Sequence, residues 1–244
     1  MTNIQYNNKK ELCKCKRKRM IEAVLFDLDG VIINSFESWY QAFNAMLRRY
    51  GKEEISREEF RVKCWGPDLK HNLDAWNLDE EAGHYCIDKQ LELVELIELF
   101  PDAKEVLSRI RHKYKVGLVT NTPKKNVARI LEHFQLARLF DVVLTGDDVH
   151  EGKPNAEMVI EACRRLKVKP ENVILVGDTE SDFQAGKSAG CTVIGIGTGA
   201  GAGAGVGAGV DAKSGANTDI DIEIDMYIEK LNELLSLASL ALNR

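Results

Sequence analysis

Short apolar runs alternate with amphipathic stretches along most of the chain. Val24-Leu25-Phe26 is followed at intervals by residues 115–120 (KVGLVT), 141–145 (DVVLT), 172–177 (NVILVG) and 191–196 (CTVIGI). Each run is apolar on consecutive positions and closes in acids, glycine or small polar residues, which reads as a strand buried on both faces. Between the last four runs, residues 123–134, 155–166 and 181–189 carry apolar side chains at helical spacing. Strand and helix in alternation predict βαβ units. The expected fold is therefore α/β, a Rossmann-like, doubly wound parallel sheet with helices on both faces.

One interval breaks this rhythm. From Ser35 to about Phe100 there is no strand pattern, but residues 37–50, 57–63 and 80–99 have helical spacing. That is too much chain for a single crossover, so residues 35–97 are expected to form an all-helical insert. The α/β core then comprises residues 20–34 and 98–244. It restarts at Pro101 with a helix over 103–113 and ends near 225–242 in a short strand and an apolar-striped helix.

The most conspicuous local pattern is glycine at every odd position from Gly195 to Gly209. It matches no phosphate-binding glycine motif: G-x-G-x-x-G needs glycine at both odd and even positions, and Lys213-Ser214 follows Ala212 rather than glycine. Alternating glycine is costly to order, so residues 197–218 are expected to form a flexible loop within the core, with a Gly-Ala hairpin on the sheet edge as the alternative.

Charge adds a second division. The formal net charge is −5. Residues 1–19 hold seven Lys or Arg against Glu11 alone, a local +6, which leaves −11 on the remainder. A basic tail of this kind is expected to be disordered and solvated, and Met20 would make a natural start. Contact with nucleic acid is disfavoured, because no aromatic residue interleaves the basic run at 9–19 to stack on bases. No apolar run approaches the roughly 18 residues of a membrane span, and the opening lacks the apolar stretch of a secretory signal. The expected location is the cytoplasm, where Cys64, Cys86, Cys163 and Cys191 would be buried free thiols. Cys13 and Cys15 lack a second Cys/His pair and are read as incidental rather than metal-binding.

Strand ends in a parallel sheet point into one crevice. The residues expected there are Asp27-Leu28-Asp29-Gly30, Thr120-Asn121, Lys153 and Gly177-Asp178 with Asp182. Four acids, a hydroxyl and an ammonium would converge. Carboxylates repel one another unless a cation holds them, and oxygen ligands of this kind suit Mg²⁺, which shares its coordination with water and phosphate. The set is suited to phosphoryl transfer through a covalent aspartyl-phosphate.

"DLDGV", "LVTNT", "GKP" and "GDTESD", in this order, resemble the four motifs of the haloacid dehalogenase superfamily. The likeness is to its phosphoglycolate phosphatase-like members with an inserted helical cap, and it covers residues 21 to about 197. The resemblance implies a Mg²⁺-dependent phosphatase of small phosphorylated metabolites, phosphoglycolate-like or sugar phosphates. Asp27 would be the nucleophile and Asp29 the general acid and base. Thr120, with the backbone at Asn121, would hold the phosphoryl oxygens, and Lys153 would balance charge. Mg²⁺ would sit on Asp178, the Asp27 carboxylate and the Asp29 carbonyl, with Asp182 assisting. Asp29 argues against a dehalogenase or a phosphonate hydrolase, which lack an acid at that position. Asn34-Ser35, where many relatives carry Asp-Ser, is expected to cap the next helix.

The cap is expected to choose the substrate. Within "RVKCWGPDLKHNLDAW", Gly66 would turn the chain, and Lys70 and His71, with Arg61 and Lys63, are candidate anion contacts. Trp39, Tyr40, Trp65 and Trp76 are assigned to cap packing. Two alternatives stay open: a phosphomutase or phosphotransferase of the same family, and a non-enzymatic interaction module working through the basic tail. The sequence leaves the oligomeric state undetermined.

Overall fold

The protein is described as a computed structural model over residues 20–197 and 224–240. The basic tail with Cys13 and Cys15 lies outside the described residues, as does the Gly/Ala stretch from residue 198. Gly197, the first residue of the expected loop, lies just past the last residue of the preceding strand, and its N–H donates to the Ile228 carbonyl at 3.0 Å.

The chain enters through β1 (Ala23–Phe26) and a two-residue strand, β2 (Ile33–Asn34). Four helices follow: α1 (Phe36–Arg49), α2 (Arg57–Lys63), α3 (Leu69–Ala75) and α4 (Glu80–Glu92). β3 (Glu98–Leu99) closes this insert by pairing antiparallel with β2, Ile33 against Leu99 and Asn34 against Glu98. The rest alternates: α5 (Ala103–Arg111), β4 (Lys115–Val119), α6 (Lys124–His133), β5 (Val142–Leu144), α7 (Glu157–Leu166), β6 (Val173–Gly177), α8 (Glu180–Ala189) and β7 (Thr192–Ile196). β8 (Met226–Ile228) and α9 (Glu233–Leu240) end the described chain.

Six strands form one parallel sheet in the order β5-β4-β1-β6-β7-β8. The strand order reverses about β1, which lies between β4 and β6, so the ligand crevice of a doubly wound sheet is expected at their carboxyl ends. The alternation of β1 shows how both faces are covered. Val24 and Phe26 pack into one core with α5, α6 and α9, while Ala23 and Leu25 pack into the other with α7 and α8. Burying both faces explains why this strand reads as uninterrupted apolar sequence.

The helical insert has a core of its own, built from Phe36, Phe43, Met46 and Leu47 of α1, Phe60 of α2, Leu73 of α3, and Ala82 and Cys86 of α4. It is tied to the sheet domain by a buried polar seam. Asn126 of α6 donates through Nδ2 to Gln90 and to the Ile87 carbonyl, and Gln90 donates to Ser38 at 3.2 Å.

Two local expectations differ from the structure. The helical pattern over 80–99 breaks after Glu92 into a 3₁₀ turn at Val94–Leu96, because Leu99 is used in the β2–β3 pair and Val94 and Ile97 in the core beneath it. Helix α3 has no counterpart among the expected helices: it has only seven residues, too few to show a period, and its start is set by Asp68, whose carboxylate accepts from the His71 N–H at 2.7 Å.

Candidate active site

The segments following β1, β4, β5 and β6 bring Asp27, Asp29, Thr120, Lys153, Asp178 and Asp182 together, and Lys153 is their hub. Its ammonium donates to Asp27 Oδ1 at 2.7 Å, Asp182 Oδ1 at 2.6 Å and the Val119 carbonyl at 2.9 Å. Both ion pairs are almost wholly buried. An ammonium has three N–H donors, so this one is saturated. Burial alone would lower the Lys153 pKa, but Asp182 and Asp27 reverse that and hold it above its ordinary value. The group is a fixed positive charge.

Lys153 is held by its backbone as well. Asn121, just after β4, accepts from the Lys153 N–H and donates to the Lys153 carbonyl, each at 2.8 Å. The Asn121 side chain is therefore a two-point clamp on the Gly152-Lys153-Pro154 loop, which leaves the backbone at Asn121, the part expected to meet phosphoryl oxygens, at the rim of the site. A Cβ on Gly152 would lie 2.5 Å from Asn121 Oδ1, so the clamp requires glycine beside it.

Asp182 is the third helical residue of α8 and does two jobs. Oδ2 accepts from the Thr179 hydroxyl at 2.6 Å within a capping box, and Oδ1 takes Lys153. It is fully buried, so an interaction with the helix dipole at a solvated surface does not account for it.

Asp29 occupies a different environment. Thr122 Oγ1 donates to its Oδ2 at 2.5 Å, and the Ser35 hydroxyl donates to its Oδ1. Sequence reasoning gave no role to Thr122, although it lies in the LVTNT motif two residues after Thr120. Of Asn34-Ser35, expected to cap α1, Ser35 makes no side-chain cap hydrogen bond, while Asn34 Oδ1 accepts from the Phe36 N–H at 3.3 Å. Thr120 is buried, and its hydroxyl accepts from the Thr122 N–H at 3.1 Å.

Carboxylate oxygens of Asp27, Asp178 and Asp182 lie within 4.8 Å of one another. Asp29's carboxylate is not part of this group. Both oxygens of Asp178 are buried and lack a hydrogen-bond partner of acceptable geometry. An uncompensated buried carboxylate is expensive, and the remedy is a proton or a cation. Burial pushes the Asp178 carboxyl well above the usual range, Asp182 and Asp27 add to the rise, and the Trp65 side chain and Lys153 oppose it. Burial likewise raises Asp27, to about 7, with Lys153 opposing and Asp182 and Asp29 adding. Three crowded oxygen donors, one of them orphaned, fit a hard divalent ion such as Mg²⁺. Gly30 makes room for this arrangement. It has φ +80°, and a Cβ there would stand 2.0 Å from Asp178 Oδ2.

Part of this set forms the floor of a cleft roofed by the cap. Asp27, Asp29, Thr120, Asn121 and Lys153 line it on the core side. Of the cap residues singled out, Gly66 lines the cleft, with φ +101°, and a Cβ there would stand 3.4 Å from Thr179 Cγ2. Lys70 and His71 do not: both are exposed on α3, on positions that face away from the lining residues Leu69 and Asn72. Arg61 stacks over the Phe36 ring and pairs with Glu58, and Lys63 pairs with Glu59, so neither contributes to the lining. Trp76 packs on Phe43, Tyr40 on Phe36 and Phe60, and Trp65 on Phe36 and Phe60, with Trp39 also against the cap core, as expected of cap packing; Trp39 and Trp65 line the cleft as well.

Known proteins share this arrangement of chain. The model of the haloacid dehalogenase-like hydrolases matches residues 24–196. The chain is 32% identical over 180 residues to the pyrophosphatase PpaX of Bacillus mycoides (strain KBAB4), covering 72% of this chain and 83% of that protein. It is also 32% identical over 206 residues to the phosphoglycolate phosphatase of Salmonella choleraesuis (strain SC-B67), covering 72% and 81%. Among solved structures, a HAD-superfamily hydrolase of subfamily IA from Geobacter sulfurreducens PCA aligns with a TM-score of 0.68 at 22% identity, over 89% of this chain and 99% of that one. At that identity the likeness is one of fold. Among the described residues, no helix is long and apolar enough to cross a membrane.

Proposed function

The chain belongs to the haloacid dehalogenase-like hydrolases and is a phosphatase of that family, and from this premise we propose that it hydrolyses small phosphorylated metabolites through a phosphorylated Asp27, with Mg²⁺ held beside it. The observation that carries this reading is the buried Lys153, saturated between Asp27 and Asp182 next to the orphaned carboxylate of Asp178. Asp178, Asp27 and Asp182 are the side chains that would hold the ion. When bound, Mg²⁺ supplies positive charge that neutralises the phosphoryl oxygens and the crowded carboxylates.

The chain's own groups then divide the work. Lys153 holds Oδ1 of Asp27, which fixes the carboxylate and leaves its second oxygen for phosphorus. That oxygen bonds to phosphorus as the bond from phosphorus to the leaving oxygen breaks, and Asp29 delivers a proton to the departing alcohol. Asp29 next takes a proton from water as the water oxygen attacks phosphorus, which frees Asp27 and releases inorganic phosphate. A group acting in both directions must be held in place, and the hydroxyls of Ser35 and Thr122 hold one Asp29 oxygen each. The Thr120 hydroxyl already accepts a backbone N–H, so its own proton is directed elsewhere, to a phosphoryl oxygen in this reading. The cap roof limits water at the aspartyl-phosphate.

The test is phosphate release from a panel of phosphomonoesters in Mg²⁺, with wild type beside Asp27→Asn. Turnover is expected only from the wild type. An equally active Asp27→Asn would overturn the mechanism, and an isomerised product without free phosphate would point to a mutase.

A further inference from the structure

Resting on this phosphatase reading, we propose that the substrate is a phosphomonoester whose leaving alcohol is aromatic or similarly flat and apolar, and carries no second negative charge. The residues of the cleft separate into two sets of different chemistry. The floor provides the charged groups for phosphoryl transfer. The cap wall is apolar and largely aromatic: Trp39, Trp65 and Leu69 line the cleft, backed by Phe43 and Phe60 at the edge of the cap core. Ring faces of this kind favour a flat apolar group.

The charges on the lining point the same way. Among the described residues, Lys153 is the only cation that lines the cleft, and its three donors are taken by Asp27, Asp182 and the Val119 carbonyl. Asp68 is the one charged residue on the cap wall, and it is an acid. The neighbouring Asn72 donates its amide N–H to the Cys64 carbonyl and leaves Oδ1, an acceptor, buried without a partner. The cap's nearby cations, Arg61 and Lys63, are engaged with Phe36, Glu58 and Glu59 outside the lining. A carboxylate or a second phosphate placed against this wall would lose its hydration, gain no cation and face Asp68. A neutral ring would lose nothing comparable and would bury its faces.

The inference is tested by comparing kcat/KM in Mg²⁺ for benzyl phosphate, 2-phosphoglycolate and inorganic pyrophosphate, with phosphate release as the readout. Benzyl phosphate and phosphoglycolate both release a primary alcohol oxygen, so the comparison reports mainly on the rest of the leaving group. Benzyl phosphate is expected to be favoured over each of the other two by at least about tenfold, the size of discrimination a pocket of mismatched polarity gives. Trp39→Leu, which removes a ring from the wall, should shrink that ratio. Leu69→Arg, which adds a cation to it, should shrink the ratio by raising turnover of phosphoglycolate. A wild-type ratio below tenfold, or ratios unmoved in both variants once circular dichroism shows them folded, would overturn the inference and leave the phosphatase reading intact. No phosphate from these three or from 4-nitrophenyl phosphate would overturn the phosphatase reading as well.

Discussion

Thr122 donates its hydroxyl to Asp29 Oδ2 at 2.5 Å across 93 residues of sequence, tying the loop after β4 to the loop after β1. The bond serves one oxygen of a carboxylate whose other oxygen is served by Ser35, the first residue beyond the β2 stem. Asp29 is thus oriented from two parts of the chain. Removing one hydroxyl should loosen it without touching Asp27 or Lys153. A hydrogen bond to a charged group contributes about 1.5–3 kcal/mol. Thr122→Val is therefore expected to lower kcat by roughly 10- to 100-fold while KM changes little, as steady-state kinetics would show. A fall confined to KM would remove Thr122 from this role.

Lys153 carries a structural burden that can be separated from its chemical one. Lys153→Met leaves Asp27 and Asp182 buried without their common cation, and breaking a buried pair in this way costs about 3–5 kcal/mol. Urea denaturation should show a loss of that order in metal-free protein. Adding Asp182→Leu should restore part of the stability, because one stranded charge is gone, while phosphate release stays lost. Recovered activity in the double variant would contradict the assignment of Lys153.

Asp27 gives the metal-free protein a pH dependence of definite sign. Its carboxyl is raised from 3.8 to about 7 by burial, against the pull of Lys153. Between about pH 4 and 7 the folded state therefore keeps a proton that the unfolded chain has released, and this group's stabilising contribution is present below that window and lost as pH rises through it. In EDTA, Asp27→Asn should gain thermal stability relative to wild type as pH goes from 4.5 to 7.5. Mg²⁺ should reduce that difference. A gap that narrows with rising pH in EDTA would refute the argument.

Gly30 should be intolerant of any side chain. Alanine there meets Asp178 Oδ2 at 2.0 Å on a backbone at φ +80°, so either the loop or the carboxylate must move. Groups that orient metal ligands typically account for 10- to 100-fold in metal affinity. Gly30→Ala is expected to raise the Mg²⁺ concentration for half-maximal activity by about that factor, read from a Mg²⁺ titration. An unchanged titration would mean that Asp178 does not hold the ion.

Much of this was legible in the sequence, and for identifiable reasons. The strands were visible because burial on both faces makes them continuously apolar, as Ala23–Phe26 and Val173–Gly177 are. Asp27, Asp29, Lys153, Asp178 and Asp182 stood out because acids and a lysine at the ends of such strands have no packing explanation. Thr122 and Ser35 were hidden for the opposite reason: a threonine in a loop and a serine before a helix have common local explanations, and only the fold reveals that they share Asp29. Lys70 and His71 failed as cleft residues because charge along a helix does not reveal which side faces inward. α3 starts at an N-cap, Asp68, which points Leu69 and Asn72 to the cleft and turns the two intervening residues outward.

The β2–β3 stem holds the entry and exit of the cap side by side, with Asn34 against Glu98. A module attached in this way behaves as a cassette: its ends are already closed, so another helical unit could be spliced onto the stem if it also offered partners to the buried Asn126 amide of α6. Ser35 sets a condition on such an exchange, since it stands on the cassette side of the junction yet holds Asp29. A transplanted cap would change which compounds enter, and it would also need to bring a hydroxyl at its first residue to keep the acid of the core in place.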